Sequence, residues 1–344
     1  MHQNLADYND LISISALHIN NIVTIAFELT KQNKVVVVYD QRCKLAKILA
    51  AAYQQNLPEA QFIDFDAVTP EFVLSVFETL QPADLVVLIQ STNFRLEAFR
   101  LRVELFKRQL KVIEHPHLER MSEEQIPCYV DALAYDPGYY RRVGPALKQR
   151  IDQASRGVID CGRHAQLYFD SPFEPAKLNI GDYSGMNNIG GQFPIGEVFT
   201  EALDLEAVHG RLAVAIFGDT TFTVNRPPQP IILIIDKGRV CGVEDSTAEF
   251  DLVLQQIRED EGEIWLRELG FGMNRAFTAD RIVNDIGTFE RMCGVHLSLG
   301  AKHGQYNKPQ IRRATARYHV DVFADTNTVR LDDEVIYSNG MWTV

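Results

Sequence analysis

The feature that most constrains this chain is a series of uninterrupted valine- and isoleucine-rich runs in its first third. Residues 34–40 read KVVVVYD, 84–90 read DLVVLIQ and 111–115 read KVIEH, with AQFIDF at 60–65. A strand that is apolar at every position must be covered on both faces, so such runs belong to a parallel sheet with helices on either side. The segments between them supply those helices: a helical pattern over 16–33, then 43–56, 69–80 and 93–110. Thr69-Pro70 reads as a helix start, a hydroxyl cap followed by the position where proline's missing N–H costs nothing. The expectation is an N-terminal α/β domain built on a doubly wound parallel sheet. No GxGxxG or GxxxxGK[ST] follows any of its strands, so the backbone cradle for phosphate is missing and no nucleotide chemistry is expected there.

A polar, helical stretch over 119–157 reads as a connector. Beyond it short strands dominate, at 211–217, 231–243, 293–300, 314–325 and 328–340, with one helix at 247–260. LDD at 331–333 lies between alternating apolar residues, the pattern of a hairpin turn. The second domain is therefore expected to be mixed α+β and strand-rich, with residues 1–157 and 158–344 as the two domains.

Composition removes several classes of function. A net charge of -12 repels phosphate backbones, so no nucleic-acid partner is expected. No apolar run approaches the roughly 18 residues of a membrane span. The opening MHQNLADYND has neither a basic nor an apolar segment of a secretory signal, so a cytoplasmic location is expected. The five cysteines, Cys43, Cys128, Cys161, Cys241 and Cys293, form no CxxC pair and read as reduced thiols.

Four places in the second half carry residues capable of chemistry. Glu197 sits in GGQFPIGEVFT at 190–200, among glycine, proline and apolar residues where a carboxylate is costly unless paired. Glu268 sits in RELGFGMN at 267–274, beside glycines that let backbone approach a ligand closely. His296 lies in GVHLSLG at 294–300, and His319 and Asp321 lie in YHVD at 318–321. Residues i and i+2 of a strand share a face, so the last two can converge on one point. Each has an ordinary reading as well: a solvent-facing turn for Glu197, a charged helix end for Glu268, a satisfied core histidine for His296 and an incidental ion pair for His319 and Asp321. Taken together, two glutamates, two histidines and an aspartate form a nitrogen and oxygen set suited to zinc, cobalt or manganese. Five ligands exceed the needs of one tetrahedral ion with an open position, and suit two ions sharing a carboxylate.

These motifs, in this order and over about 150 residues, resemble those of the M29 aminopeptidases, the aminopeptidase T group. GEVFT at 196–200, Glu268 followed by Gly272-Met273-Asn274, His296-Leu297-Ser298-Leu299-Gly300, His319-Val320-Asp321 and the closing Asn339-Gly340-Met341-Trp342 carry the likeness. The resemblance implies a dinuclear site of two divalent metal ions held by Glu197, Glu268, His296, His319 and Asp321. One carboxylate would bridge the ions and Glu268 would act as general base. It also implies release of N-terminal amino acids from a peptide or small amide substrate, and a homodimer.

Two departures stand out. The segment before GEVFT is shorter than in typical members. Where the family places a tyrosine seven residues after the HIALG histidine, this chain has His303, with Tyr306 the nearest tyrosine. His303 could take the tyrosine's catalytic place, or the loop could be rearranged with His303 facing solvent, since Lys302 and Lys308 make it look wet. Two other readings stand beside the hydrolase. One is a non-catalytic or biosynthetic relative. The other is a ring-cleaving dioxygenase with one iron on two histidines and an aspartate; that branch has histidine where this chain has Glu268, and no counterpart of His296.

Overall fold

The computed structural model describes residues 7–96, 99–162, 164–186 and 189–344; the first six residues of the opening segment lie outside it. The chain forms two compact units that interleave along the sequence. The first comprises Met1–Tyr140 with Gly181–Ile195, the second Arg141–Ile180 with Gly196–Val344. A single cut near 157 therefore does not divide the chain.

The first unit is the expected α/β layer structure. Its parallel sheet runs in the order Gly190–Gln192, Lys111–His115, Leu85–Ile89, Val35–Tyr39, Gln61–Asp64. Val36 pairs with Val86, Val86 with Val112 and Val112 with Gly190. On one face Val36, Val38, Val86, Leu88 and Val112 pack with Val73, Val76, Phe77, Leu101 and Leu105 in a single buried cluster. Burial at this level removes each aliphatic side chain from water at a gain of about 1.5–3 kcal/mol. The fifth strand was not legible because it is three residues of glycine and glutamine. Gly190 is required there: a Cβ would lie 1.8 Å from the Val112 carbonyl oxygen.

Helix boundaries follow local chemistry more than apolar pattern. Thr69 caps the Pro70–Phe77 helix through Phe72 N–H, as expected. The first helix is Tyr8–Asn21, capped by Asp7 and continued by a π-helical turn over Ile22–Ala26, rather than a helix over 16–33. The expected helix over 93–110 shortens to Leu101–Lys107, preceded by the paired strands Arg95–Leu96 and Phe99–Arg100, with 97 and 98 outside the described residues. Among the described residues no helix is long and apolar enough to cross a membrane. The five cysteines are present as thiols rather than disulfides.

Among the described residues the second unit is built on one antiparallel sheet of fourteen strands, with the expected helix at Ala248–Glu261. Its middle is Val208–Gly218, which also carries the hairpin Ile231–Asp236 and Arg239–Glu244. The stretch 231–243 is thus two strands, reversed at Lys237 and Gly238, both at positive φ. The sheet curls back on itself: Trp342, in its first strand by position, donates from Nε1 to the Gly272 carbonyl at 2.8 Å, eight strands away. The strand expected over 314–325 begins only at Val320.

Candidate metal centre

Four adjacent strands carry the site: Glu197–Thr200, Leu266–Gly272, Gly294–Leu299 and Val320–Ala324. The last three are buried at every position, which leaves no solvent to satisfy a polar side chain on them. Three local devices bring the functional groups together. Register sets Gly270 opposite His296, and a Cβ at 270 would stand 2.1 Å from the imidazole, so only glycine leaves room for that ring. Between Leu266 and Leu269 the register shifts, with Arg267 and Glu268 opposite the single residue Ser298. Such a bulge re-aims side chains and is common at active sites; here the Ser298 hydroxyl accepts from Glu268 N–H at 3.1 Å. Finally, His319 and Asp321 straddle the start of their strand and meet, Nε2 to Oδ1, at 3.2 Å.

Glu197, Glu268 and His296 each offer one ligand atom, and these atoms lie within 4.8 Å of one another. His296 Nε2 stands 3.2 Å from Glu197 Oε1 and 3.5 Å from Glu268 Oε1. The other oxygen, Glu268 Oε2, stands 3.2 Å from His303 Nε2. The two oxygens of Glu268 therefore face two different imidazoles. The rings of His303 and His319 are 5.9 Å apart, centroid to centroid. His303, His296, Glu197, Glu268 and Asp321 are all buried.

These close approaches are not hydrogen bonds. His296 Nδ1 and Nε2, His303 Nε2 and Asp321 Oδ1 are buried atoms with no hydrogen-bond partner. Leaving so many buried polar atoms unpaired costs several kcal/mol in total. Ligand-type atoms gathered this closely without hydrogen bonds are an arrangement that a bound cation would satisfy. His319 has the accompanying support: its Nδ1 lies 3.0 Å from the Lys302 carbonyl, which places the proton on Nδ1 and frees Nε2. The Gln305 N–H reaches His303 Nδ1 only at 3.5 Å, too long to fix that ring's tautomer. The donor set, three carboxylates and three imidazoles, fits a divalent metal ion.

The electrostatics agree with a site short of positive charge. Burial disfavours a charged His296, yet the carboxylates of Glu197 and Glu268 outweigh it and push the imidazole up to about 10. His319 is likewise held up at about 9 against burial by Asp321. Burial would raise Glu197, but Arg291 and His296 hold it below the usual carboxylate range. Burial, with His319, Arg267 and Lys308 nearby, brings His303 down to about 3, so it stays neutral and able to ligate.

All five residues singled out in the sequence, with His303, are thus brought into one region. The reading in which His303 faces solvent is corrected: Lys302, Gly304, Gln305 and Asn307 are exposed, but His303, Tyr306 and Lys308 are buried. Tyr306 is engaged with backbone rather than with the ligand cluster. Its hydroxyl donates to the Pro175 carbonyl at 2.8 Å. His303→Ala is therefore expected to weaken metal binding by more than about tenfold, read by titration. Tyr306→Phe should leave binding unchanged and cost only the 0.5–1.5 kcal/mol or so of one hydrogen bond. Arg291, 3.9 Å from Glu197, was missed, because an arginine in ERMCGV carries no distinguishing pattern.

No protein-family model matches the chain, and no curated protein matches it in sequence. Solved structures do. Over 98% of its length the chain is similar to 2,5-dihydroxypyridine dioxygenase from Pseudomonas putida KT2440, with a TM-score of 0.64 and 14% identity over 98% of that chain. It is also similar over 98% of its length to wild-type AmpT from Thermus thermophilus, with a TM-score of 0.59 and 12% identity over 99% of that chain. AmpT is an M29 aminopeptidase T, so the resemblance seen in the motifs extends to the fold of the whole chain.

Proposed function

We propose that this protein is a metal-dependent hydrolase of the aminopeptidase type, acting on a peptide or small amide through two divalent ions. One observation carries the reading: the two carboxylate oxygens of Glu268 face different histidines, His296 and His303, as a carboxylate shared between two ions must. In this reading Glu197, His296 and Glu268 would hold one ion. His303, His319 and Asp321, with Glu268 shared, would hold the other. When bound, the ions would polarise the scissile carbonyl and make water more acidic. Glu268 would also serve as the general base toward water, with Arg291 approaching Glu197 rather than Glu268. Arg291 offsets part of the negative charge beside Glu197.

The test combines elemental analysis after metal titration with a panel of aminoacyl chromogenic substrates, with and without zinc, cobalt or manganese. Two ions per chain and chelator-sensitive release of amino acid are expected. The fold likeness to the dioxygenase favours a second reading, a mononuclear iron oxygenase. The Glu197, Glu268 and His296 cluster argues against it, because it adds a second set of hard ligands that one iron does not need. One iron per chain with oxygen uptake would overturn the hydrolase.

A further inference from the structure

A second set of buried charges adjoins the ligand cluster and takes no part in the chemistry above. Arg267 immediately precedes Glu268 in the bulge, and Glu201 follows four residues after Glu197. Arg267, Glu201 and Lys308 are 3%, 0% and 6% exposed. The guanidinium grips Glu201 through Nε at 2.5 Å and Nη2 at 3.1 Å. Its remaining bonds go to backbone: Nη1 to the Ala301 carbonyl at 2.5 Å and Nη2 to the Tyr306 carbonyl at 3.1 Å. Those two carbonyls bracket His303. Lys308 closes the same loop, with Nζ bound to Glu174 at 2.6 Å and to the carbonyls of Ala202 and Leu203 at 2.7 and 3.0 Å.

Buried ion pairs of this kind are poor sources of stability, because desolvation consumes most of the attraction and apolar replacements are often as stable. Geometry is what such a network supplies. The guanidinium's planar fork grips the carboxylate through two nitrogens and two carbonyls besides, one bond more than the three donors of an ammonium can make. The 301–308 loop has no regular hydrogen-bond ladder of its own; Ala301 N–H to Glu261 and Lys302 N–H to the Tyr318 carbonyl hold its start, and the contacts of Arg267 and Lys308 hold the stretch around His303.

We propose that Arg267 is a positioning residue: by holding Ala301 and Tyr306 it fixes His303 against Glu268 and so completes the second ion's ligand set. The inference rests on the two-ion reading, and wild-type protein that fails to bind two ions overturns both. The experiment titrates full-length protein with cobalt, followed by its visible absorption and by calorimetry. The variants are Arg267→Met/Glu201→Met, which removes the pair without leaving a lone charge, His303→Ala, and all three substitutions together. Far-UV circular dichroism and cooperative melting establish that each is folded. The double variant is expected to keep the first ion and to lose affinity for the second by about 10–100-fold, the range for groups that orient ligands. Adding His303→Ala should then cost little more, since both changes remove the same ligand. A folded double variant that binds two ions as wild type does overturns the proposal, and so does a loss that adds in full to that of His303→Ala. If the double variant does not fold, Arg267→Lys keeps the charge beside Glu201 but cannot make all four bonds, and the same two outcomes decide.

Discussion

Glu268→Gln is expected to lower turnover by roughly 10²–10⁴-fold under saturating metal, the range for loss of a catalytic proton-transfer group. The substitution preserves volume and keeps one carbonyl oxygen, so packing around the bulge is retained. What changes is charge. Glu268 shares its oxygens between His296 and His303, and an amide offers one weaker acceptor and one N–H donor in their place. Metal affinity measured alongside separates two roles: a shared ligand loses binding and turnover together, whereas a pure base loses turnover alone. The fold should survive, because Glu268 is one of three buried carboxylates in the cluster and removing a negative charge there relieves repulsion. Turnover close to wild type would place Glu268 outside the site.

Metal loading should raise the melting temperature of the second unit substantially. Binding at a hundredfold excess over Kd contributes about 2.7 kcal/mol per ion. For a unit of this size each kcal/mol moves Tm by about 2–4 °C, so a rise on the order of 5–10 °C per ion is expected. Chelation should reverse it, and Glu197→Ala should remove most of it. The effect also carries a sign in pH. His296 and His319 are raised to about 10 and about 9 in the metal-free protein, above the ordinary 6.5. Their contribution to stability is full below about pH 6.5 and is lost as the pH rises through those values. The metal acts oppositely, since these imidazoles must release their protons to ligate, so the metal-induced rise in Tm should grow from pH 6 to 8 and be accompanied by proton release. A Tm indifferent to added zinc, cobalt and manganese would remove the basis for a metal centre.

The layer structure of the first unit was legible because valine-rich strands admit one environment, burial on both faces. Its Gly190–Gln192 strand was not, since three small or polar residues acquire a role only when Val112 is beside them. The shortening of the helix expected over 93–110 has a similar cause: apolar spacing fits a helix, but Arg95–Leu96 and Phe99–Arg100 find each other as strands.

At the candidate site, residue type spoke for Glu197, Glu268, His296, His319 and Asp321, because carboxylates and imidazoles inside apolar strands need a partner to offset their desolvation. Local order also carried the i, i+2 pairing of His319 with Asp321. The choice between His303 and Tyr306 was open in the sequence, where both lie in a lysine-flanked loop. Where the two side chains lie is set by tertiary structure. Arg267 and Lys308 draw that loop inward, turning Tyr306 to the Pro175 carbonyl and His303 to Glu268. The bulge at Arg267–Glu268 and the space that Gly270 leaves for His296 belong to the same class. Chemistry that a residue carries alone is written in its type and its neighbours along the chain. Chemistry that depends on which strand lies alongside, and on what a distant charge pulls into place, exists only once the sheet has formed.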